Sequence, residues 1–403
     1  MLNTRKVLLF DLDGVLITLG GYHKALQATV NFYTRRMGLG DLAPEEPTID
    51  FLESCGLTME WDSSAICLAV LVTHLWRQDP GLRLPGTWEG VISAIRDRAG
   101  QFHPRPDYLG WGERICSAAS RGSPAPRAAA DILFAASQAD GSGTRREELR
   151  TALSILLGRP RDFRQSVTMR VIQHFTLGSE GFRQTYGEDP SFETPSLLEE
   201  ENHPTLLPGQ AQELVSRTQG REVRAAVFTL RLTRPDLPSA LGGEFAPEAE
   251  VALQKLGLVD WPVVGFGQLR WLARTHKVFS DRYLKPCPAH ALAAIARALG
   301  AEEQEALQSA FRLEEESQLA GPLSDLRGGK LDLEVFEDSA SSLRGVAQAA
   351  TRLRQQGANL VFHPWGIGST RRRRQELESL GYPVFDNVGQ ALAAAGIPLR
   401  SLP

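Results

Sequence analysis

The sequence predicts an α/β fold. A mostly parallel sheet, with helices on both faces, carries a large and mostly α-helical insert after its first strand. Three observations predict it. Lys6 to Phe10 is a short aliphatic run that passes straight into Asp11-Leu12-Asp13-Gly14, the pattern of a buried parallel strand closed by a turn. From about residue 20 to 205, apolar residues recur at helical spacing and convincing strands are absent. After Pro208-Gly209, short aliphatic runs alternate with helical ones to the end of the chain, the rhythm of a parallel sheet.

In order, the helical signals of the insert are Lys24 to Met37, Ser64 to Arg77, Thr87 to Ala99, Arg127 to Ser137 and Glu147 to Leu157. Pro and Gly punctuate the connections, as at Pro80-Gly81 and Pro85-Gly86. Beyond the insert, Gln210 to Arg217 reads as a helix and Arg224 to Thr229 as a strand ending in a hydroxyl residue. Pro247 to Leu256 is helical, Pro262 to Phe266 strand-like, and His290 to Leu299 helical. Leu333 to Asp338 is a strand ending in two acids, followed by a helix over Ala340 to Gln355. Asn359 to Phe362 is a strand, Thr370 to Leu380 a helix, and Pro383 to Phe385 a last short strand. The expected domains are therefore 1–18 with 205–403 as the α/β core, and 19–204 as the helical insert.

Bulk properties narrow the function classes. The chain has 403 residues, long enough for more than one domain. Its 44 basic and 48 acidic residues leave a net charge of −4, which gives no whole-chain reason to bind nucleic acid or an acidic membrane. No apolar run reaches the roughly 18 residues that span a bilayer; Ala65 to Trp76 is broken by Thr73 and His74. The apolar segment near the N-terminus is too short for a secretory signal. Cys55, Cys67, Cys116 and Cys287 form no CxxC pair. The expectation is a cytoplasmic, reduced protein with no nucleic-acid or membrane partner; composition says nothing of its oligomeric state.

In an open parallel sheet, ligands bind beyond the carboxyl ends of the strands. Asp11 and Asp13 follow the first strand, Thr229 ends the second, and Glu337 and Asp338 close a later one. Lys285 lies in a loop before a helix. This set suits phosphoryl transfer through a covalent aspartyl-phosphate. A carboxylate nucleophile divides a difficult hydrolysis into two easier steps. Mg²⁺ prefers oxygen ligands, and a lysine and a hydroxyl can neutralise and hydrogen-bond the phosphate oxygens.

Asp11-Leu12-Asp13-Gly14-Val15 resembles the first motif of the haloacid dehalogenase (HAD) superfamily. Pro208-Gly209 followed by Thr229 resembles the approach to its second motif, Lys285-Pro286-Cys287-Pro288 its lysine motif, and Phe336-Glu337-Asp338-Ser339 its acidic fourth motif. The four occur in family order and cover the first 18 or so residues and about 205 to 390. The resemblance is to the phosphatase-type members with a helical C1 cap, the phosphoglycolate phosphatase-like group. It implies a Rossmann-like core, a helical cap that closes over the site and selects substrate, and a small phosphorylated metabolite as partner. Asp11 is then the nucleophile, and Asp13 the acid that protonates the leaving oxygen and later the base that activates water. Asp11, the Asp13 carbonyl and Asp338 hold Mg²⁺ with Glu337 beside it, and Thr229 and Lys285 bind the phosphoryl group.

The sequence also departs from that pattern. Phe228-Thr229-Leu230-Arg231 lacks the frequent Asn after the hydroxyl, and an insertion (Glu302 to Glu316, then Gly321 to Gly329) separates Lys285 from Asp338. Asp13 argues against a dehalogenase, and the absence of lysine between Lys24 and Lys255 argues against Schiff-base phosphonate cleavage. A phosphotransferase or phosphomutase of the same fold, or a non-catalytic binding protein that retains it, stays open. In the insert, Glu60, Trp61 and Asp62 are the candidate substrate contacts, because relatives often carry a Trp-Asp pair where a cap helix begins. The alternative is that Asp62 or Ser63 caps the helix while Trp61 packs in its core. His363-Pro364-Trp365 reads as a loop after a strand, and Arg371 to Arg374 as a solvated helix face. Gly366-Ile367-Gly368 lacks the GxGxxG spacing, and no HExxH occurs.

Overall fold

The computed structural model describes residues 4–119, 124–137, 143–207, 209–220, 223–237, 245–279 and 281–399. Pro208 of the expected Pro208-Gly209 turn lies outside them. In chain order, β1 (Thr4–Phe10) precedes α1 (Gly20–Arg36), α2 (Glu46–Ser54), α3 (Glu60–Gln78), α4 (Trp88–Arg96), α5 (Tyr108–Ala119), α6 (Ala125–Ala136), α7 (Gly143–Leu157), α8 (Val167–Tyr186) and α9 (Leu197–Glu201). Then come α10 (Gln210–Thr218), β2 (Val223–Phe228), α11 (Glu248–Leu256), β3 (Val263–Val264), α12 (Phe266–Thr275), α13 (Pro288–Ala298) and α14 (Glu303–Glu315). The chain finishes with β4 (Lys330–Glu337), α15 (Ala340–Gln355), β5 (Asn359–Ile367), α16 (Arg371–Ser379), β6 (Val384–Phe385) and α17 (Val388–Ala394).

Two compact units result: Met1–Leu19 with Asn202–Pro403, and Gly20–Glu201. The first is α/β. Its six strands pair in parallel in the order β3-β2-β1-β4-β5-β6. Val7 to Phe10 of β1 are apolar and fully buried, because the sheet is covered on both faces there. At the end of β1, Phe10 stacks on Phe336 of β4, with ring centroids 4.6 Å apart. Where the chain leaves and re-enters this unit, Thr18 N–H donates to the His203 carbonyl at 2.9 Å and His203 N–H to Thr18 Oγ1 at 2.9 Å.

The second unit is entirely helical among the described residues. Its centre is α3, which is buried on nearly every side from Trp61 to Trp76, the condition of a helix enclosed by others. No helix among the described residues is long and apolar enough to cross a membrane. Two charged clusters hold the unit together. His23 of α1 is buried between Glu46 and Glu53 of α2; its Nδ1 meets Glu46 and its Nε2 lies 2.7 Å from Glu53. Asp62 of α3 is gripped by Arg161, with Nη2 donating to Oδ2 at 2.6 Å and Nε to Oδ1 at 3.0 Å.

Two elements differ from the sequence reading. His363-Pro364-Trp365 is not a loop; it continues β5 to Ile367. Strand β6 pairs only with Gly366 and Ile367, so Pro364 lies where β5 has a neighbour on one side only, a position that tolerates a residue without an N–H. Trp365 Nε1 donates to Glu334 Oε2 across the β4–β5 pair at 2.7 Å. The Gly321 to Gly329 loop is a run of 3₁₀ helix over Gly321–Gly328. Helices α2, α5, α8 and α12, which apolar spacing did not single out, fill out the layers.

The His23 cluster makes stability depend on pH. Burial alone would push the imidazole down, but hydrogen bonds and charge from Glu53 and Glu46 outweigh it and raise it from 6.5 to about 10. A group raised on folding contributes fully below its unfolded value and loses that contribution as pH climbs through the folded one. Wild-type melting temperature should therefore fall more steeply between pH 7 and pH 10 than that of His23→Gln. Parallel slopes in a thermal-denaturation series would contradict the assignment.

Candidate active site

The carboxyl ends of β2, β1 and β4 are neighbours in the sheet, with Phe10 in register with Val227 and Phe336. Residues that follow these strands must therefore share one end of the sheet. Asp11 is fixed there by its own N–H, which donates to the Phe336 carbonyl at 2.9 Å. Thr229 N–H donates to the Val264 carbonyl at 3.0 Å, Glu337 ends β4 and Asp338 follows it. Asp11, Thr229, Glu337 and Asp338 are all buried.

Lys285 arrives from the loop that leads into α13. Its Nζ donates to Asp11 Oδ1 at 2.9 Å and to Glu337 Oε2 at 2.7 Å, and sits 3.8 Å from the centre of the Phe228 ring. An ammonium over an aromatic face gains from the ring quadrupole as well as from the carboxylates. A glycine makes the approach of α15 to this loop possible: a Cβ on Gly345 would stand 2.1 Å from the Pro286 carbonyl.

Opposing effects set the charge states. Burial pushes the Asp11 carboxyl up, the Glu337 charge adds to that, and Lys285 draws it back, leaving it at about 7. Burial would lower Lys285, yet Asp11 and Glu337 outweigh it and raise its affinity for a proton. His290, at the first turn of α13, is pushed down to about 3 by burial and by the Lys285 charge. It is a neutral ring, with Nε2 3.0 Å from the Val264 carbonyl.

Asp11, Glu337 and Asp338 each offer a carboxylate oxygen within 4.8 Å of the others. Three hard oxygen donors suit a small divalent cation such as Mg²⁺, which takes carboxylates and waters. Glu337 Oε1 is turned toward the backbone, accepting from Asp338 N–H at 3.2 Å and Ser339 N–H at 3.1 Å. Gly14 has φ +73°, and a Cβ there would lie 2.1 Å from Asp338 Oδ2, so the turn after β1 admits only glycine.

Two arginines complete the group. Arg373, in the first turn of α16, donates from Nη1 to Asp338 Oδ2, and Ser369 Oγ donates to the same oxygen at 3.3 Å. Arg231 holds Asp13: Nε donates to Oδ2 at 2.9 Å and Nη2 to Oδ1 at 2.6 Å. The Asp13 carboxylate is thus turned to Arg231. Thr229 Oγ1 accepts from Arg231 N–H at 3.1 Å. Sequence reasoning passed over both arginines. Arg371 to Arg374 were read together as a solvated face; Arg373 reaches Asp338, and Arg374 pairs with Asp386. For Arg231 a signal did exist, since it falls in the segment where the sequence departs from the expected pattern after Thr229.

Glu60, Trp61 and Asp62 lie in the helical unit, where all three are buried in the first turn of α3. The residue preceding that turn is Met59, so neither Asp62 nor Ser63 is its N-cap. Asp62 is engaged by Arg161, and Trp61 is 3 % exposed.

No protein-family model and no curated protein matches the chain. Among solved structures, the X-ray structure of Northeast Structural Genomics Consortium target ZR25 is similar at 14 % identity. That alignment covers 97 % of this chain and 98 % of the other, with a TM-score of 0.59. Phosphatase Tt82 from Thermococcus thioreducens aligns at 14 % identity over 88 % and 91 %, with a TM-score of 0.37. At these identities the first likeness extends to the fold alone.

The bridge made by Lys285 yields a prediction. In Lys285→Met two buried carboxylates face one another without their cation, which should cost about 3–5 kcal/mol at pH 8. Protonating Asp11 relieves that repulsion, so the loss should shrink at pH 5. Denaturant unfolding at both pH values measures it, and an equal loss would contradict the pairing.

Proposed function

We propose that this protein is a Mg²⁺-dependent phosphatase of the HAD type that hydrolyses a small phosphorylated metabolite through an aspartyl-phosphate on Asp11. The observation that carries the proposal is the Lys285 ammonium set between Asp11 and Glu337 at the carboxyl ends of adjacent strands, with Asp338 alongside. A buried carboxylate beside a fixed cation is suited to attack phosphorus, because the cation also meets the charge on the phosphoryl oxygens. Asp11 Oδ bonds to phosphorus as the substrate oxygen leaves, and Lys285 and the Thr229 hydroxyl steady the phosphoryl group. Asp13, two residues on, activates the water that releases phosphate and restores Asp11. The charge that relieves repulsion between Asp11 and the incoming phosphate is supplied by Mg²⁺ when Asp11, Glu337 and Asp338 hold it.

The test is turnover of p-nitrophenyl phosphate. Wild type with Mg²⁺ should be active, and chelation should abolish the activity. Asp11→Asn should reduce kcat by about a thousandfold or more, because an amide is no nucleophile. Turnover that survives Asp11→Asn would remove the proposed nucleophile, and no turnover of any phosphate compound would favour a binding role.

A further inference from the structure

From the contact between Arg373 and Asp338 we infer that Arg373 sets how tightly this site holds a divalent cation. Its guanidinium offsets the Asp338 charge and so weakens the grip of the three carboxylates on the metal. In return it leaves the loaded site with a net positive charge for the phosphoryl group. The inference rests on the cation-binding part of the proposed mechanism and adds to it a residue outside the four sequence motifs.

Strand β5 and helix α16 build the placement. β5 ends at Ile367, and the turn after it brings Ser369 to Asp338 and starts α16 at Arg371. Thr370 caps that helix, its Oγ1 accepting from Arg373 N–H at 3.3 Å, which fixes the backbone of Arg373. From there Nη1 donates to Asp338 Oδ2. Its neighbours in the run have other acids: Arg372 pairs with Glu376, and Arg374 with Asp386. The Arg373 side chain is 15 % exposed and that of Asp338 3 %, so water screens this pair only in part.

Arg373 has two opposing effects on cation affinity. Holding Asp338 in place favours the metal, because an oriented ligand needs less ordering on binding. A positive charge beside the metal disfavours it. The first effect is small here, because other groups also hold Asp338. Its N–H donates to Glu337 Oε1 at 3.2 Å, and Ser369 Oγ donates to Oδ2 at 3.3 Å. The turn at Gly14 lies so close that a Cβ there would stand 2.1 Å from Oδ2. The charge effect therefore decides the sign, and a guanidinium cannot shed its proton to relieve it. With a divalent cation bound, the carboxylates of Asp11, Glu337 and Asp338 together with Lys285 and Arg373 leave a net charge of +1. Without Arg373 the same group is neutral and attracts an anion less. Arg373 acts through Asp338 and is a positioning residue.

The experiment titrates the protein with Mn²⁺, which takes the same oxygen donors as Mg²⁺ and is read directly by electron paramagnetic resonance. Arg373→Met and Arg373→Gln remove the charge in two ways, so that a fold lost in one leaves the other, and Arg373→Lys keeps it. Both neutral variants should bind Mn²⁺ about tenfold more tightly than wild type, while Arg373→Lys stays within about threefold of wild type. With Mn²⁺ saturating, inorganic phosphate should bind the neutral variants about tenfold more weakly. The opposite directions carry the test, since damage to the fold would weaken both. Unchanged or weaker Mn²⁺ binding in a folded neutral variant, or equal tightening in Arg373→Lys, would overturn the inference. Wild type whose Mn²⁺ binding is insensitive to Asp338→Asn would overturn the metal site and this inference with it. Wild type that binds Mn²⁺ through Asp338 yet turns over no phosphate compound would remove the proposed hydrolysis alone, and the Arg373 variants would still decide the inference.

Discussion

One ion bridge organises the α/β unit: Lys285 between Asp11 and Glu337. A buried cation and two buried carboxylates each carry a desolvation penalty, and only close mutual pairing offsets it. That requirement constrains three separate parts of the chain. Strands β1 and β4 must be neighbours so that Asp11 and Glu337 meet, and the loop before α13 must lie over them with Lys285 pointing inward. The flanking contacts serve the same end. Phe228 presents its ring to the ammonium, His290 stays neutral beside it, and Gly345 leaves room for the Pro286 carbonyl.

Around this bridge, further acids are matched with cations drawn from other elements. Arg231 follows β2 and binds Asp13, and Arg373 opens α16 and binds Asp338. A strand-end cluster of four acids would repel itself without such partners. The pairing also divides labour. Asp11, Glu337 and Asp338 form a group of hard oxygen donors, while Asp13 is held by a guanidinium.

Much of the fold was legible in the sequence because local patterns determine it. The aliphatic run Lys6 to Phe10, the helical spacing of the insert and the alternating elements after residue 205 each report burial directly. That Asp11, Asp13, Thr229, Glu337 and Asp338 share one end of the sheet was legible for a topological reason: in a parallel sheet, whatever follows the strands lies at the same end. What escaped was set by tertiary pairing. Nothing in the run Arg371 to Arg374 distinguishes Arg373 from its neighbours until α16 is oriented. Pro364 argued for a loop, and only the shortness of β6 makes it acceptable in a strand. Asp62 carries no sequence mark of Arg161, which lies far along the chain and meets it only when the helices pack.

The central claim is that Asp11 carries the phosphoryl group. The most direct measurement is chemical trapping: wild type is mixed with acetyl phosphate and Mg²⁺, quenched in acid and reduced with borohydride, which converts an aspartyl-phosphate to homoserine. Peptide mass spectrometry should place homoserine at position 11, with Asp13, Glu337 and Asp338 unmodified. Modification at another residue, or an unmodified position 11 while acetyl phosphate is being hydrolysed, would contradict the account.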